Sequence, residues 1–203
     1  MVYYIRRHMM GSKMLPLEYE QLEYITVTGG SVLFNTGYVP TKGCKVELLF
    51  KGTSTTSTKA GVMFGCRTGW NNKSFYFRTG VSSGTATNMT VYMGYSIERS
   101  VSGVDINASS KNLYGLDNGK FYINDIVLGS YSDSFSPVYE LYLMKINNSG
   151  SPLNTVGSPS GNLYNCWIWD DNGKMVRFYV PVRRVSDNAV GIFDLIYGTF
   201  LRR

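Results

Sequence analysis

The sequence predicts an all-β domain in which two antiparallel sheets pack face to face as a jelly-roll sandwich, with a short N-terminal arm. The chain has 203 residues and 43% hydrophobic content, which suits one domain with one substantial core. Charged residues make up only 17%, whereas Gly (22) and Tyr (16) are abundant. A helical bundle would need more Glu, Lys, Leu and Ala, so the composition favours short strands joined by turns.

The strand prediction comes from short segments rich in β-branched and aromatic residues, each bounded by Gly, Asn, Ser or Asp. Such segments occupy residues 46–50, 61–64, 75–78, 91–95, 120–123, 140–144, 166–169 and 176–180. The triplets Asp117-Asn118-Gly119 and Asp171-Asn172-Gly173 predict type I′ hairpins, because Asn-Gly accepts the positive φ of that turn. Residues 52–59 and 147–161 are predicted loops, and a helix is expected near residues 17–24.

The C-terminal region is predicted to be the closing hairpin of the sandwich. Apolar positions alternate with Arg177 and Tyr179 in residues 176–180, as in a strand with one face in the core. Proline has no N–H for a ladder bond, so we expect this strand to end at Pro181 or to lie at an edge. We expect Asp194 to bind backbone groups of a turn rather than to act as a functional carboxylate. The first and last strands should lie close together.

The charge pattern argues against a nucleic-acid partner, and the lengths of the apolar runs argue against a membrane partner. The net charge is +6, and much of the clustering of basic residues is in three separated pairs, Arg6-Arg7, Arg183-Arg184 and Arg202-Arg203, whereas nucleic-acid-binding proteins concentrate basic residues on one face. No apolar run reaches the length needed to cross a bilayer, and the N-terminal segment lacks the apolar region and cleavage site of a signal peptide. We therefore expect synthesis in a reducing cytoplasm.

The cysteines predict neither disulfides nor a metal site. Cys44, Cys66 and Cys166 form no Cys-x-x-Cys pair, and we expect them to be buried, reduced thiols. The single histidine, His8, lies in the N-terminal arm, so a zinc site is not expected. We expect no cofactor.

Both ends of the chain resemble a known family of β-sandwiches. Residues 22–25, Thr28-Gly29 and residues 35–38 resemble the opening of concanavalin A-like (laminin G-like) jelly-roll domains, and Phe64-Gly65-Cys66-Arg67 resembles their Phe-Gly-x-Arg strand. The C-terminal match is nearly continuous over residues 164–200. The resemblance implies the fold and spans residues 17–200 with a divergent middle. The family occurs in phage structural proteins and gut-bacterial surface proteins, and includes lectins, glucanases and plain structural modules.

The resemblance has departures that limit what it implies. Residues 32–35 read Val-Leu-Phe-Asn where the family often has Gln-Tyr-Ile-Asp, and Phe178 stands where it often has an Asp after Val-Arg. We therefore infer no charged pair from the family.

The acidic residues do not predict an enzyme. Glycosidases need two carboxylates that flank one glycosidic bond, and those on this fold hold them along one strand in a Glu-x-Asp-x-Glu-like pattern. The nearest arrangement here is Glu18, Glu20 and Glu23, which precedes the first family strand. A Ser/His or Cys/His nucleophile has no histidine available outside the arm. We expect no catalytic residues.

Two places have the chemistry for binding sugars, which pack on aromatic rings and bond to amides and guanidinium groups. Arg67, Trp70 and Asn71 lie in and around a loop after a strand. Trp167 and Trp169 share one face of a strand, opposite the face of Cys166 and Ile168. If those two face the core, the Trp rings form an outer surface. The structural alternative at both places is that the Trp rings cover the sandwich or pack under a loop or against another subunit.

Two function classes remain open at the level of sequence. One is a component of a phage virion (capsid decoration, fibre or tail-associated), assembled in the host cytoplasm, with a possible adhesion role toward cell-surface or mucin polysaccharide. The alternative is a lectin-like protein, secreted or on the bacterial cell surface.

The chain is predicted to have two parts, an arm, 1–16, and a sandwich, 17–203. We expect the arm to contact a second copy or another virion protein, or else to add an edge strand, through an apolar and basic cluster: Tyr3, Tyr4, Ile5, Arg6 and Arg7.

Overall fold

The computed structural model describes residues 14–28, 33–52, 61–69, 73–81, 89–104, 107, 109–133, 136–154 and 159–202. These residues form β-strands and no helix. In chain order the strands are β1 (Tyr19–Gln21), β2 (Ile25–Val27), β3 (Phe34–Asn35), β4 (Lys45–Gly52), β5 (Gly61–Arg67), β6 (Ser74–Val81), β7 (Met89–Val104), β8 (Lys111–Asp117), β9 (Lys120–Ile123), β10 (Ile126–Ser130), β11 (Tyr142–Leu143), β12 (Asn147–Asn148), β13 (Ser151–Pro152), β14 (Gly161–Trp169), β15 (Met175–Arg184), β16 (Val190–Asp194) and β17 (Thr199–Arg202). Nothing in this part of the chain is a helix that could span a membrane.

The strands form two sheets that pack as a sandwich, so the predicted fold class is confirmed. The large sheet has ten strands in the order β10-β9-β8-β4-β14-β15-β16-β17, with β2 beside β14 and β1 beside β15. The small sheet has seven strands in the order β13-β12-β5-β11-β3, extended by β6 and β7 on the other side of β5. The pairings are antiparallel, apart from a short parallel one between β12 and β5.

The core lies between the sheets and follows from strict alternation along the strands. In β4, Val46, Leu48 and Phe50 are at most 1% exposed, whereas the residues between them are half-buried. Phe77 of β6 joins the two sheets, because its ring lies 5.6 Å from that of Tyr114 on β8 and 5.8 Å from that of Phe121 on β9. Burying such aromatic side chains stabilises the fold by roughly 1.5–3 kcal/mol each.

The expected helix near residues 17–24 is wrong. This segment contains β1, whose Tyr19 pairs with Arg184 of β15. Leu22 N–H donates to the Pro181 carbonyl at 2.9 Å, so the backbone groups are satisfied by a neighbouring strand and not by a helical turn. The first strands therefore lie beside the last ones, as predicted.

Pro181 neither ends its strand nor lies at an edge of the sheet. β15 continues through it to Arg184, with β16 on one side. On the other side, pairing with β14 ends at Tyr179 and pairing with β1 begins at Val182. The Pro181 carbonyl accepts from Leu22 on the side of β14 and β1, and the nitrogen of a strand residue points to the same side as its carbonyl. The proline nitrogen therefore points into the gap between β14 and β1, where no ladder bond is lost.

Both predicted hairpin turns lie where they were expected, but only the first is of the predicted type I′. Asn118 and Gly119 have φ of 43° and 82°, as a type I′ turn requires. In the second hairpin only Gly173 has positive φ (74°), so this turn is not type I′. Its loop is longer, and Asp170 Oδ1 accepts from the N–H groups of Asn172 and Lys174, both at 2.9 Å.

A second apolar cluster covers the outer face of the large sheet near the C-terminus. Val180, Val182 and Phe193 form its buried centre, with Leu15 and Tyr19 packed against them. The Tyr19 ring lies 4.7 Å from that of Phe193. Leu15, which the sequence analysis placed in the arm, therefore packs on the sandwich.

The three cysteines are buried and free, as predicted. Burial raises the pKa of the Cys44 thiol to about 12 and raises the pKa values of Cys66 and Cys166 further. These thiols are therefore protonated at neutral pH. Among the residues described, no cluster of His, Cys, Asp and Glu could hold a metal ion.

Candidate functional site

A cavity of about 270 Å³ opens at the edge of the sandwich where β3 and β17 are the outermost strands of their sheets. We call it the end pocket. It lies between the sheets, because its walls come from β3 and the residues after it on one side and from β15 to β17 on the other. Its lining residues are Asn35, Thr36, Gly37, Arg177, Tyr179, Asp194, Tyr197, Thr199 and Leu201.

The wall of the end pocket contains a buried ion pair. Arg177 pairs with Ile168, and Tyr179 with both Cys166 and Asp194, so these side chains point to the inner face of the sheet. Arg177 Nε lies 3.4 Å from Asp194 Oδ2, and the two side chains are 12% and 2% exposed. A charged pair can lie here because it is at the open end of the core, where both partners also bind backbone groups.

Asp194 holds the turn after β16 as well as the arginine. Its Oδ1 accepts from Phe178 N–H at 3.2 Å and from Ile196 N–H at 2.9 Å. The prediction that Asp194 binds backbone groups of a turn is confirmed. The Arg177 guanidinium is fixed further by donating from Nη1 to the Val176 carbonyl at 2.8 Å. No charged pair was predicted from the family resemblance, because Phe178 replaces the usual Asp. The fold nevertheless contains one, which Arg177, the residue before Phe178, forms with Asp194.

Tyr197 provides the exposed aromatic surface of the end pocket. It lies in the turn that Asp194 holds, and it is 63% exposed. The Arg177 Cζ atom lies 3.8 Å from the centroid of its ring. One ring face therefore rests on a fixed guanidinium, in a cation–π contact that limits the motion of the ring, and the other face is open to solvent.

The polar groups at the bottom of the end pocket are held in fixed orientations. Tyr179 Oη donates to the Thr36 carbonyl at 3.0 Å, and burial followed by the nearby Asp194 carboxylate raises its pKa, so it remains a donor. Asn35 Oδ1 accepts from Gly37 N–H at 2.9 Å, while Asn35 Nδ2 donates to Glu140 Oε2 at 2.6 Å. An open aromatic face beside a small set of fixed polar groups is the usual composition of a small-ligand site.

Trp167 and Trp169 lie on the outer face of the large sheet, as the alternation of β14 predicted. Cys166 and Ile168 between them are buried in the core. Both Trp residues are half-buried. The Trp167 ring stacks on Phe178, with centroids 5.7 Å apart, and Lys45 Nζ lies 4.8 Å from the centroid of the Trp169 ring. Each ring is thus partly covered by a neighbour on the adjacent strand.

Charged and phenolic groups surround the two Trp rings. Glu47, opposite Trp167, accepts from Tyr122 Oη at 2.5 Å and lies 2.9 Å from Lys45 Nζ. We call these five residues, Lys45, Glu47, Tyr122, Trp167 and Trp169, the outer Trp surface. It combines rings with hydrogen-bonding groups, and none of its five residues lines the end pocket. Contact between its Trp residues and a sugar stays a prediction.

Arg67 lies apart from both surfaces, at the end of β5 in the small sheet. It is 3% exposed, and its Nε donates to Asn148 Oδ1 at 2.9 Å. Desolvation by burial lowers its pKa. A sugar could reach this guanidinium only if its neighbours moved, so the structure does not support the predicted contact. Trp70 and Asn71 lie outside the described residues, and their sugar contacts stay predictions.

The predicted assembly cluster of the arm also lies outside the described residues. This applies to Tyr3, Tyr4, Ile5, Arg6 and Arg7. The description begins at Met14, which is 88% exposed, and Leu17 is 97% exposed. These are the two most exposed large apolar side chains among the residues described. They flank Leu15, which is packed against the sheet.

The end pocket was not predicted from the sequence. Arg177 has the appearance of an ordinary outward-facing polar residue, because it alternates with apolar neighbours. The sequence does contain a signal for this pocket. It is the run Val-Arg-Phe-Tyr-Val together with Asp194, if the two segments are assigned to neighbouring strands. That reading places Asp194 opposite Tyr179 and on the same inner face as Arg177, which lies two residues earlier on β15.

Comparisons with known proteins give a likeness in fold. No family model matches the chain, and no curated protein matches it. Among solved structures, it is similar to the CBM40 of Ruminococcus gnavus IT-sialidase bound to α2,3-sialyllactose, at 10% identity, covering 74% of this chain and 90% of that one, with a TM-score of 0.51. The same CBM40 in another structure (11% identity, 76% and 96% covered, TM-score 0.47) and the heptameric SAP-like pentraxin of Limulus polyphemus (15%, 75% and 73%, 0.48) are also similar.

Proposed function

We propose that this chain is a non-catalytic β-sandwich module that binds glycans through the end pocket. The observation that supports the proposal is the Tyr197 ring, which is fixed from below by Arg177 at 3.8 Å and open to solvent on its other face. Such a ring offers a C–H-rich sugar face an apolar surface without loss of side-chain freedom on binding. The exposed polar side chains of Asn35 and Thr199 line the cavity, where sugar hydroxyls would reach them.

The size and fold agree with this proposal. A cavity of about 270 Å³ has room for one sugar ring and not for a long buried chain. We infer that the chain is a concanavalin A-like sandwich, and the likeness in fold to a CBM40 module whose structure contains a bound oligosaccharide supports that inference. Among the described residues that line the pocket, Asp194 is the one carboxylate, so they include no acidic pair of the glycosidase type.

The test is a glycan array followed by titration calorimetry with the best hit. We expect Tyr197→Ala to weaken binding at least tenfold, because the ring is the main apolar contact. Tyr24→Ala is the matched control, since Tyr24 is also an exposed tyrosine (40%) but pairs with Tyr164 away from the pocket. Trp167→Ala tests the outer Trp surface separately. Absence of binding to any glycan would refute the proposed function.

We also propose an assembly role on a virion, with a bacterial cell surface as the alternative location. The specific observation is the pair of almost fully exposed apolar side chains, Met14 and Leu17, at the base of the arm. Such side chains favour a partner surface. Deleting residues 1–13, or replacing both Met14 and Leu17 by Ser, should leave the melting temperature nearly unchanged and abolish oligomers measured by light scattering. A truncated monomer that melts much earlier would show instead that the arm belongs to the fold.

A further inference from the structure

The charges at the end pocket determine which class of glycan it can accept. Two charged residues are part of its lining, Arg177 and Asp194, and they lie 3.4 Å apart. Their charges offset each other. The guanidinium therefore presents much less positive potential to a ligand than an unpaired arginine would.

A further carboxylate lies one hydrogen bond from the cavity. Asn35 lines the pocket, and its Nδ2 donates to Glu140 Oε2 at 2.6 Å. Counting Arg177, Asp194 and Glu140 together, the site has a net charge of −1. The carboxylate of a sialic or uronic acid would have to enter this field and lose part of its hydration, and both effects oppose its binding.

Two of the three guanidinium nitrogens also already contact protein groups. Nε faces Asp194 Oδ2, and Nη1 donates to the Val176 carbonyl at 2.8 Å. Nε lies 3.4 Å from Asp194 Oδ2 and donates to the Thr36 carbonyl at 3.5 Å, so Arg177 would have to break these contacts to hold a ligand carboxylate side-on through Nε and Nη2, and only the end-on pair of Nη1 and Nη2 remains. Neutral hydroxyls need only single hydrogen bonds, which the amide and hydroxyl groups of the lining can supply.

We propose that the end pocket binds the ring of a neutral sugar residue and rejects sugars that have a carboxylate. This inference rests on the proposed glycan-binding function. Selectivity arises from the Arg177–Asp194 pair and from Glu140 behind Asn35, while the Tyr197 ring provides contact area for any sugar face.

The experiment uses an array printed with matched pairs of glycans that differ only by a terminal sialic or uronic acid, followed by calorimetry on one matched pair. We expect each neutral member that binds to do so at least tenfold more tightly than its acidic partner. Glu140→Gln removes the charge but keeps an oxygen for Asn35, and should reduce that ratio several-fold. Glu23→Gln is the control, because Glu23 is exposed and pairs with Lys111 on β8.

The outcomes separate the two proposals. Equal or tighter binding of acidic members would overturn the selectivity and leave glycan binding in place. A ratio that Glu140→Gln leaves unchanged would overturn the assigned origin of the selectivity. If no member of any pair binds, the proposed function itself fails.

Discussion

Replacing Asp194 by Ala should be one of the most destabilising single changes on the large sheet. The substitution leaves the Arg177 guanidinium, whose side chain is only 12% exposed, without its carboxylate. It also removes the acceptor of the Phe178 and Ile196 N–H groups. Removing one partner of a buried pair costs about 3–5 kcal/mol. The two backbone donors lose the same carboxylate, so their cost is counted within that range, and we expect the free energy of unfolding to fall by about 4 kcal/mol in total.

Urea denaturation followed by tryptophan fluorescence measures this loss. With a urea dependence of about 2 kcal/mol per molar, a loss of about 4 kcal/mol lowers the midpoint by about 2 M. Asp194→Asn keeps an oxygen acceptor for the backbone and removes only the charge, so its effect should be about half as large.

Asp187→Ala is the matched control for this prediction. Asp187 also pairs with an arginine, Arg184, at 2.7 Å, and accepts from a backbone N–H, that of Ala189. Its pKa is lowered, chiefly by the hydrogen bond from Arg184, but both side chains are exposed to water, which screens the pair. Its midpoint should fall by no more than about 0.5 M. Equal shifts for Asp187→Ala and Asp194→Ala would refute the argument that burial makes the Asp194 pair important.

Three further outcomes are expected. The buried thiols of Cys44, Cys66 and Cys166 should not react with a thiol reagent at pH 8 in the folded protein and should all react in urea; reaction of any one in the native state would contradict its burial. Stability should fall as the pH rises above about 9, because Cys44 and Tyr114, with pKa values of about 12 in the fold, keep protons that the unfolded chain loses near 8.5 and 10; a urea midpoint that is constant to pH 11 would contradict this. Gly115→Ala should cost about 1–3 kcal/mol, because its Cβ would lie 2.1 Å from Tyr122 Cζ, whereas Gly69→Ala, with open space around it, should have little effect on thermal unfolding.

The strands that could be predicted from the sequence are those whose alternation is uninterrupted. β4 is an example, since Val46, Leu48 and Phe50 are separated by residues that face outwards. β8 was missed although it lies in the middle of the large sheet, because polar residues occupy its ends and Gly115 interrupts its apolar pattern. That glycine is required by the Tyr122 ring of β9, and such a cross-strand requirement is not visible along the chain.

The end pocket could not be predicted because it depends on contacts between distant parts of the chain. Arg177 meets Asp194 only when β15 pairs with β16, and Tyr179 Oη meets the Thr36 carbonyl 143 residues earlier in the chain. Local patterns also misplaced the end of β15, since the effect of Pro181 depends on which strand lies beside it. The outer position of Trp167 and Trp169, by contrast, followed from the period of two within a single strand.

The pairing of β1 with β15 determines when the sandwich can be completed during synthesis. Arg183 bonds to Glu20, which precedes it by 163 residues. At translation rates of about 5–20 residues per second, roughly 8 to 30 s pass between the synthesis of these two residues. For that time Leu15 and Tyr19 lack the complete cluster of Val180, Val182 and Phe193 against which they pack in the fold. The nascent chain is thus exposed to chaperones and proteases for a period set by its length and not by the speed at which its strands pair.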